Sequence, residues 1–192
     1  AFEDVQKLTA KLSDAEKIEL NDYIETRSKG TPLANKELQP VADAQREAVQ
    51  SRRAKIAALD TTSKAEFVDD YLTHIYKDPE AARVAFAGPA KEGTGRFLKG
   101  RTIPTLKESM ARGLEPITLD PLEMTQRYVD TMDRFIATRQ VMEKAVKDGN
   151  IKAYPPGEQP RGWVEVNTKF GGSNMPYYAS ADWARVYNNF VD

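Results

Sequence analysis

The sequence contains no cysteine and only one histidine. Without cysteine, the chain cannot form disulfide bonds, use a thiol nucleophile or hold zinc or iron–sulfur clusters through cysteine ligands. One histidine does not supply the usual ligand set of a zinc site, and no serine stands in a nucleophile-elbow context. We therefore expect no metal, no cofactor and no enzymatic activity based on these side chains.

The chain also lacks a charge excess of one sign and long apolar runs. Its 28 lysine and arginine residues face 29 aspartate and glutamate residues, so general attraction to nucleic acid or anionic membrane is not expected. No apolar run approaches the roughly 18 residues of a membrane span, and the N-terminus lacks the pattern of a secretion signal. The absence of cysteine fits the host cytoplasm or the interior of a virion.

The length of 192 residues allows one domain or two small ones. The chain begins at Ala1 rather than at methionine, and an amphipathic pattern starts at once. We therefore expect it to be a segment of a longer polypeptide.

Helix-start signals are frequent along the chain. Ser13–Glu16 and Ser63–Glu66 have the capping-box pattern, and aspartate or threonine followed by a helix-compatible turn recurs at Asp78, Thr105 and Asp120. Gly30, Gly113 and Gly149 are expected to end three of the helices, and Pro40, Pro79 and Pro121 fit the first turn of three of them. These signals predict helices in about seven places: 13–28, 40–59, 63–76, 78–86, 105–113, 120–149 and 180 onward.

The helix predicted from Asp120 is the longest and the most clearly amphipathic. Its apolar positions follow helical spacing and are expected to face the core: Tyr128, Val129, Met132, Phe135, Ile136, Met142 and Val146. After Gly149 the pattern changes to two short strands, 151–154 and 163–166, joined by a proline-rich turn. The predicted fold is therefore mainly α, with a small β-hairpin near the C-terminus.

Residues 88–102 include four glycines and one proline, which predicts an irregular segment. This segment is the expected divide between two halves of the chain. The predicted parts are an N-terminal helical part (1–87), a glycine-rich basic loop (88–103), and a part with the long helix, the hairpin and the closing helix (104–192).

The glycine-rich segment contains a pattern similar to a phosphate loop, Gly95–Thr102, with arginine in place of the required lysine. A phosphate loop follows a buried strand and opens a helix. The residues before this pattern are predicted to be helical, and Pro104 follows closely. Nucleotide binding is therefore not predicted here.

A stronger candidate is a basic segment that could contact a phosphate backbone. Six basic residues stand against only two acidic ones, Glu92 and Glu108, in this part of the chain. The alternative is a solvated loop whose cations pair with an acidic neighbouring domain, and the balanced total charge favours that alternative. The candidate nucleic-acid-binding residues are Lys91, Arg96, Lys99, Arg101, Lys107 and Arg112.

The acidic residues and the histidine were considered for catalysis. Asp70 lies one predicted helical turn before His74, and two acid pairs lie on predicted helices, at Asp69–Asp70 and Asp130–Asp133. Adjacent acids on helices are usually solvated, because burying them unpaired is costly. A helix-surface or partly buried histidine is the favoured interpretation. An enzyme with an unrecognised acidic site, for instance at Glu92 and Glu108, stays as a third alternative.

Aromatic residues are concentrated near the C-terminus and could stack nucleic-acid bases. Four apolar positions of the last helix, Trp183, Val186, Tyr187 and Phe190, follow helical spacing. We therefore favour packing of this helix on the hairpin. The remaining aromatic candidates are Trp163, Tyr177 and Tyr178.

Several stretches, in order, resemble a helical region of very large phage polyvalent proteins, which some phages carry with their DNA. The resemblance covers about residues 65–192 and runs through Asp70–Tyr76, Gly95–Thr105, Gly113–Thr118, Met132–Ile136, Pro160–Val164, Tyr177–Ala179 and Asn188–Phe190. It implies a structural or connecting segment without an assigned active site, and it transfers no catalytic residue.

The resemblance implies a virion-internal or ejected phage protein that takes part in genome delivery, located in the virion or the host cytoplasm. The leading functional prediction is thus a non-catalytic structural and interaction module. Its predicted partners are other virion proteins or other domains of the parent chain, with DNA and a second copy of the chain as alternatives. Nucleic-acid binding through residues 91–112 is the second functional prediction.

Overall fold

A computed structural model describes residues 2–59, 72, 74–85, 105–166 and 176–191. The chain forms two compact units. Unit 1 consists of Ala1–Ala54 and Glu66–Met132, and unit 2 consists of Lys55–Ala65 and Asp133–Asp192. The predicted divide at 88–103 lies outside the described residues, so the predicted division into parts stays a prediction.

The described residues are mostly helical, as predicted, and form seven α-helices with a small sheet near the C-terminus. The helices are α1 (Phe2–Thr9), α2 (Asp14–Thr26), α3 (Gln39–Ala57), α4 (Pro79–Ala85), α5 (Leu106–Ala111), α6 (Pro121–Lys147) and α7 (Ala181–Val191). Within the described residues, no helix is both long enough and apolar enough to cross a bilayer.

The capping box at Ser13 is confirmed. The Ser13 hydroxyl accepts a hydrogen bond from the Glu16 N–H at 3.3 Å, and the Glu16 carboxylate accepts one from the Ser13 N–H at 2.8 Å. The hydrogen bond donated by the Ser13 hydroxyl is the main reason why the pKa of the Glu16 carboxyl lies below its ordinary value, and the bond donated by the Ser13 N–H lowers it further. The helix and its following turn end at Gly30, which adopts a left-handed conformation (φ 88°) that favours glycine.

Three other predicted caps are also present. The Asp78 carboxylate accepts hydrogen bonds from the first N–H groups of α4, and the Thr105 hydroxyl accepts one from the Glu108 N–H at the start of α5. The Asp120 carboxylate accepts a hydrogen bond from the Leu122 N–H at 2.8 Å. These short-range bonds satisfy N–H groups that have no partner inside the helix, which explains why the starts were predictable.

The predicted helix 63–76 is wrong at its end, while its start lies outside the described residues. Residues 74–77 are not helical and pair with residues 115–117. The Ile117 N–H donates to the Ile75 carbonyl at 2.8 Å, and the Lys77 N–H donates to the Glu115 carbonyl at 2.9 Å. Backbone groups that a helix would have paired locally are thus satisfied by a distant segment.

The core of unit 1 lies between α2, the start of α3, α5 and the start of α6. Leu20, Ile24, Val41 and Leu106 are fully buried there. This core consists of Leu20, Ile24, Leu38, Val41, Ala42, Leu72, Leu106 and Met124.

The predicted apolar face of the long helix is confirmed for six of its seven positions, from Tyr128 to Met142, all of which are buried. The prediction is wrong for Val146, which is 41% exposed. The buried positions near this end of α6 are Thr138, Met142 and Ala145. A helix turns by about 100° per residue, so Val146, the residue after Ala145, lies at the edge of this row of buried residues.

The sheet of unit 2 has three antiparallel strands: β1 (Ile151–Ala153), β2 (Trp163–Glu165) and β3 (Tyr177–Ser180). The two predicted strands are present, but they do not pair with each other as a hairpin. Their order is β1-β3-β2, so β3 lies between them, and Ala179 is the partner of both Ile151 and Val164. The third strand fits the tyrosine-rich sequence of this segment, since aromatic residues favour strands.

The closing helix α7 packs on the sheet through Ala184 and Tyr187, both buried. Trp183 is partly buried and stacks on Tyr187, with ring centroids 5.3 Å apart. The predicted inward position of Val186 is wrong, because its side chain is 67% exposed. The core of unit 2 consists of Met142, Ala145, Ile151, Val166, Ala179, Ala184 and Tyr187.

Candidate functional site

The predicted basic site lies mostly outside the described residues, which exclude Lys91, Arg96, Lys99, Arg101 and the phosphate-loop pattern 95–102. Lys107 and Arg112 are described, and both are exposed, on α5 and at its end. The Lys107 ammonium lies 3.4 Å from the Asp22 carboxylate, and the Arg112 N–H closes α5 by donating to the Glu108 carbonyl. DNA binding by this segment stays a prediction.

Among the described residues of unit 1, Glu25 and His74 form a deeply buried pair of ionisable side chains. The side chain of Glu25 is 0% exposed and that of His74 is 4% exposed. The imidazole Nε2 lies 2.9 Å from Oε1 of Glu25, although the two groups lack the alignment of a hydrogen bond. The predicted neighbour Asp70 lies outside the described residues.

The second oxygen of Glu25 accepts a hydrogen bond from the Leu106 N–H at 2.8 Å. Leu106 is the first residue of α5, so its N–H has no partner within the helix. One carboxylate therefore holds α2 to the segment at His74 and to the start of α5. The imidazole ring also contacts Tyr76 edge-on, with ring centroids 6.3 Å apart.

The role of Glu25 was not predicted from the sequence, although a signal was present. Asn21 and Glu25 each follow a buried apolar residue of α2, Leu20 and Ile24, and so belong to the buried face of the helix. Asn21 makes a similar long-range bond, since its amide donates to the Leu119 carbonyl at 2.8 Å. Polar residues within an apolar stripe indicate buried hydrogen-bonded contacts of this kind.

Two of the other acids considered as catalytic candidates, Asp130 and Glu108, lie on solvated surfaces. The Asp130 carboxylate accepts a hydrogen bond from the Gln126 amide, and Glu108 is exposed. The described residues contain no group of three or more histidine, cysteine or acidic residues that could hold a metal ion. Asp69, Asp70 and Glu92 lie outside the described residues, and Asp133 is partly buried.

The sheet of unit 2 presents a cluster of aromatic rings on the side opposite to α7. Strand alternation and register place Lys152, Tyr154, Trp163, Glu165 and Tyr178 on this side. We call this surface the aromatic face. The core residues Ile151, Val166 and Ala179 point to the other side, toward α7.

Within the aromatic face, the Tyr154 ring contacts the other two rings. Tyr154 lies 6.0 Å from Trp163 and 6.4 Å from Tyr178, measured between ring centroids. Tyr178 is buried, whereas Tyr154 and Trp163 are partly exposed and Lys152 and Glu165 are exposed. The face thus combines a fixed aromatic centre with charged residues at its borders.

Burial raises the pKa of the Tyr187 phenol, and Arg139 partly offsets this rise by its positive charge. The neutral phenol therefore stabilises unit 2 at pH values below the ordinary tyrosine pKa of about 10. As pH rises above that value, the unfolded chain loses the proton more readily than the folded chain, and this stabilisation is lost.

We expect unit 2 to unfold more easily in alkali and the substitution Tyr187→Phe to reduce this alkaline sensitivity. Fluorescence of Trp163 and Trp183, the two tryptophans of the chain, reports on unit 2 alone. Urea unfolding followed at neutral and alkaline pH measures the effect. Tyr154→Phe is the control, and an equal alkaline loss in wild type and Tyr187→Phe would contradict the prediction.

Comparison with known proteins assigns no family to this chain. No family model, no curated protein and no solved structure matches it. Its function must therefore be inferred from its own residues and their geometry.

Proposed function

We propose that this chain is a non-catalytic structural and interaction module of a large phage protein, virion-internal or ejected, that takes part in genome delivery. The aromatic face is the observation that carries the proposal. The partly exposed rings of Tyr154 and Trp163 share this face with the exposed charged residues Lys152 and Glu165. Aromatic residues at the centre with polar residues at the rim are typical of protein–protein interfaces.

The burial of Glu25 and His74 supports a structural rather than a catalytic role for the histidine. A general acid or base must reach the group with which it exchanges a proton. Glu25 and His74 are almost fully enclosed, and both oxygens of Glu25 already contact the chain itself. Glu25 therefore connects three segments of unit 1, and both of its carboxylate oxygens already have partners within the chain.

The phage setting is part of the proposal because of the resemblance over residues 65–192. The range includes all three strands of the sheet and therefore the whole aromatic face. The proposed partners are copies of this chain, other domains of the parent polypeptide or other virion proteins. The proposed location is the virion or the host cytoplasm.

The proposal is tested by capture of purified virion proteins and of neighbouring segments of the parent chain on the immobilised full chain. Loss of a central aromatic residue of an interface typically weakens binding by about 2 kcal/mol or more, close to 30-fold. We expect Trp163→Ala to cause such a loss. Val84→Ala is the matched control, because Val84 is an exposed apolar residue of unit 1.

Circular dichroism must show that both variants keep their helical content. Capture that is equally strong with Trp163→Ala would exclude the aromatic face as the interface. Absence of any association, with partners or between copies, would overturn the proposed function.

A further inference from the structure

We infer that the aromatic face binds the same face of a second copy of this chain, forming a dimer with two-fold symmetry. The inference rests on the proposed function and names the partner of its interaction surface. Its basis is the arrangement of the two charges that border the aromatic residues.

Lys152, Tyr178 and Glu165 form one row across the sheet. Tyr178 is the register partner of Lys152 on β1 and of Glu165 on β2. Neighbouring strands lie about 4.8 Å apart, so the backbones of the two charged residues are separated by roughly 10 Å. The positive and the negative side chain therefore lie on opposite sides of Tyr178.

This row is complementary to itself. A rotation by 180° about an axis parallel to β3, in the plane between two facing sheets, places β1 of one copy opposite β2 of the other. Lys152 then faces Glu165 of the second copy, and Glu165 faces its Lys152, so the pair forms twice. Such matching of a surface with its own copy is the property of an isologous two-fold interface.

The charges also select the orientation of the two sheets. A two-fold axis perpendicular to the strands would place Lys152 opposite Lys152 and Glu165 opposite Glu165. Like charges brought together oppose that arrangement, whereas opposite charges favour the first one. The partly exposed rings of Tyr154 and Trp163 are covered in the dimer, which adds burial of apolar surface.

The aromatic face is small, because its strands have only three or four residues each. Stable interfaces bury about 800 Å² on each partner, an area larger than a sheet of this size provides. We therefore expect a dimer that dissociates on dilution.

Analytical ultracentrifugation of the full chain over a wide concentration range tests the inference. We expect the wild-type mass to rise from monomer to dimer with concentration. Lys152→Glu alone and Glu165→Lys alone each place like charges opposite each other, so each should dimerise at least tenfold more weakly. Lys147→Glu is the control, because it makes the same charge change at an exposed position of α6.

Two recombinations separate this mechanism from a folding defect. Mixing the Lys152→Glu chain with the Glu165→Lys chain pairs opposite charges at both positions, so heterodimers should form. The double variant Lys152→Glu/Glu165→Lys restores both pairs within a homodimer. Dimer formation in both cases supports the inference. It also shows that the single variants are folded, because an unfolded chain could not form the heterodimer.

A wild-type chain that stays monomeric at every concentration overturns the dimer, as do single variants that dimerise like wild type. Quenching of tryptophan fluorescence by a single-stranded oligonucleotide, with no self-association, would instead assign the rings to base stacking and also overturn it. Trp163-dependent capture of a virion protein by a monomeric chain would retain the proposed function while removing this inference.

Discussion

Replacement of Glu25 by alanine is expected to lower the free energy of unfolding of unit 1 by about 2–4 kcal/mol, from a buried hydrogen bond that is lost and buried volume that is emptied. The substitution leaves the buried His74 imidazole without its acidic partner and the Leu106 N–H without an acceptor. It also leaves a cavity next to Ile24 in the core.

Urea unfolding followed by far-ultraviolet circular dichroism, combined with amide hydrogen exchange of α2 and α5, measures this effect. Tryptophan fluorescence is not suitable, because Trp163 and Trp183 both belong to unit 2. Glu19→Ala is the control on the same helix, since Glu19 is exposed. A loss below about 1 kcal/mol would show that Glu25 does not connect the three segments.

Replacing both members of the pair by leucine is the companion experiment. Apolar residues of similar volume often replace both partners of a buried polar contact at little cost, because no polar group of the pair is then left unpaired. The variant Glu25→Leu/His74→Leu should therefore be more stable than Glu25→Ala. The Leu106 N–H stays unpaired in it, so recovery to full wild-type stability is not expected.

Ile151→Ala is expected to destabilise unit 2 by about 2–5 kcal/mol, the usual cost of truncating a fully buried isoleucine. Ile151 is 0% exposed and packs in the core between the sheet and the helices of unit 2. Its row of the sheet continues through Ala179 to Val164 on the same face. The loss of side-chain volume therefore affects the centre of the core and not its margin.

Val164→Ala is the matched control, because Val164 ends the same row but is 45% exposed. Its expected cost is within about 0.5 kcal/mol, as for surface substitutions. Tryptophan fluorescence during urea unfolding reports the stability of both variants. If Ile151→Ala and Val164→Ala lowered the stability of unit 2 by similar amounts, Ile151 would not lie on the buried side of the sheet.

The sequence predicted those helix starts that depend on neighbouring residues. Ser13 and Glu16 are separated by one helical turn, and Thr105 and Glu108 have the same spacing. The bonds they make close small rings, so the residues involved are adjacent in sequence and in space. The periodic apolar face of α6 was predictable for the same reason, since helical repeat alone brings its residues together.

The end of the predicted helix 63–76 shows where such reasoning stops. Its apolar spacing favoured a helix through Tyr76, but Ile75 and Lys77 make backbone bonds with the segment 115–117. The sheet is a second example, since β3 pairs with both β1 and β2 and prevents the predicted hairpin. In each case the competing partner is distant in sequence.

The sequence by itself determined the mainly helical class, the capped helix starts at Ser13, Asp78, Thr105 and Asp120, and the absence of cysteine chemistry. Only the tertiary structure decided that Glu25 contacts His74 and also accepts a hydrogen bond from the N–H of Leu106, a residue 81 positions after Glu25. It alone also placed Lys152 and Glu165 on either side of Tyr178. The physical reason is that capping and periodicity are local, whereas ion pairs and strand order depend on which distant segments pack together.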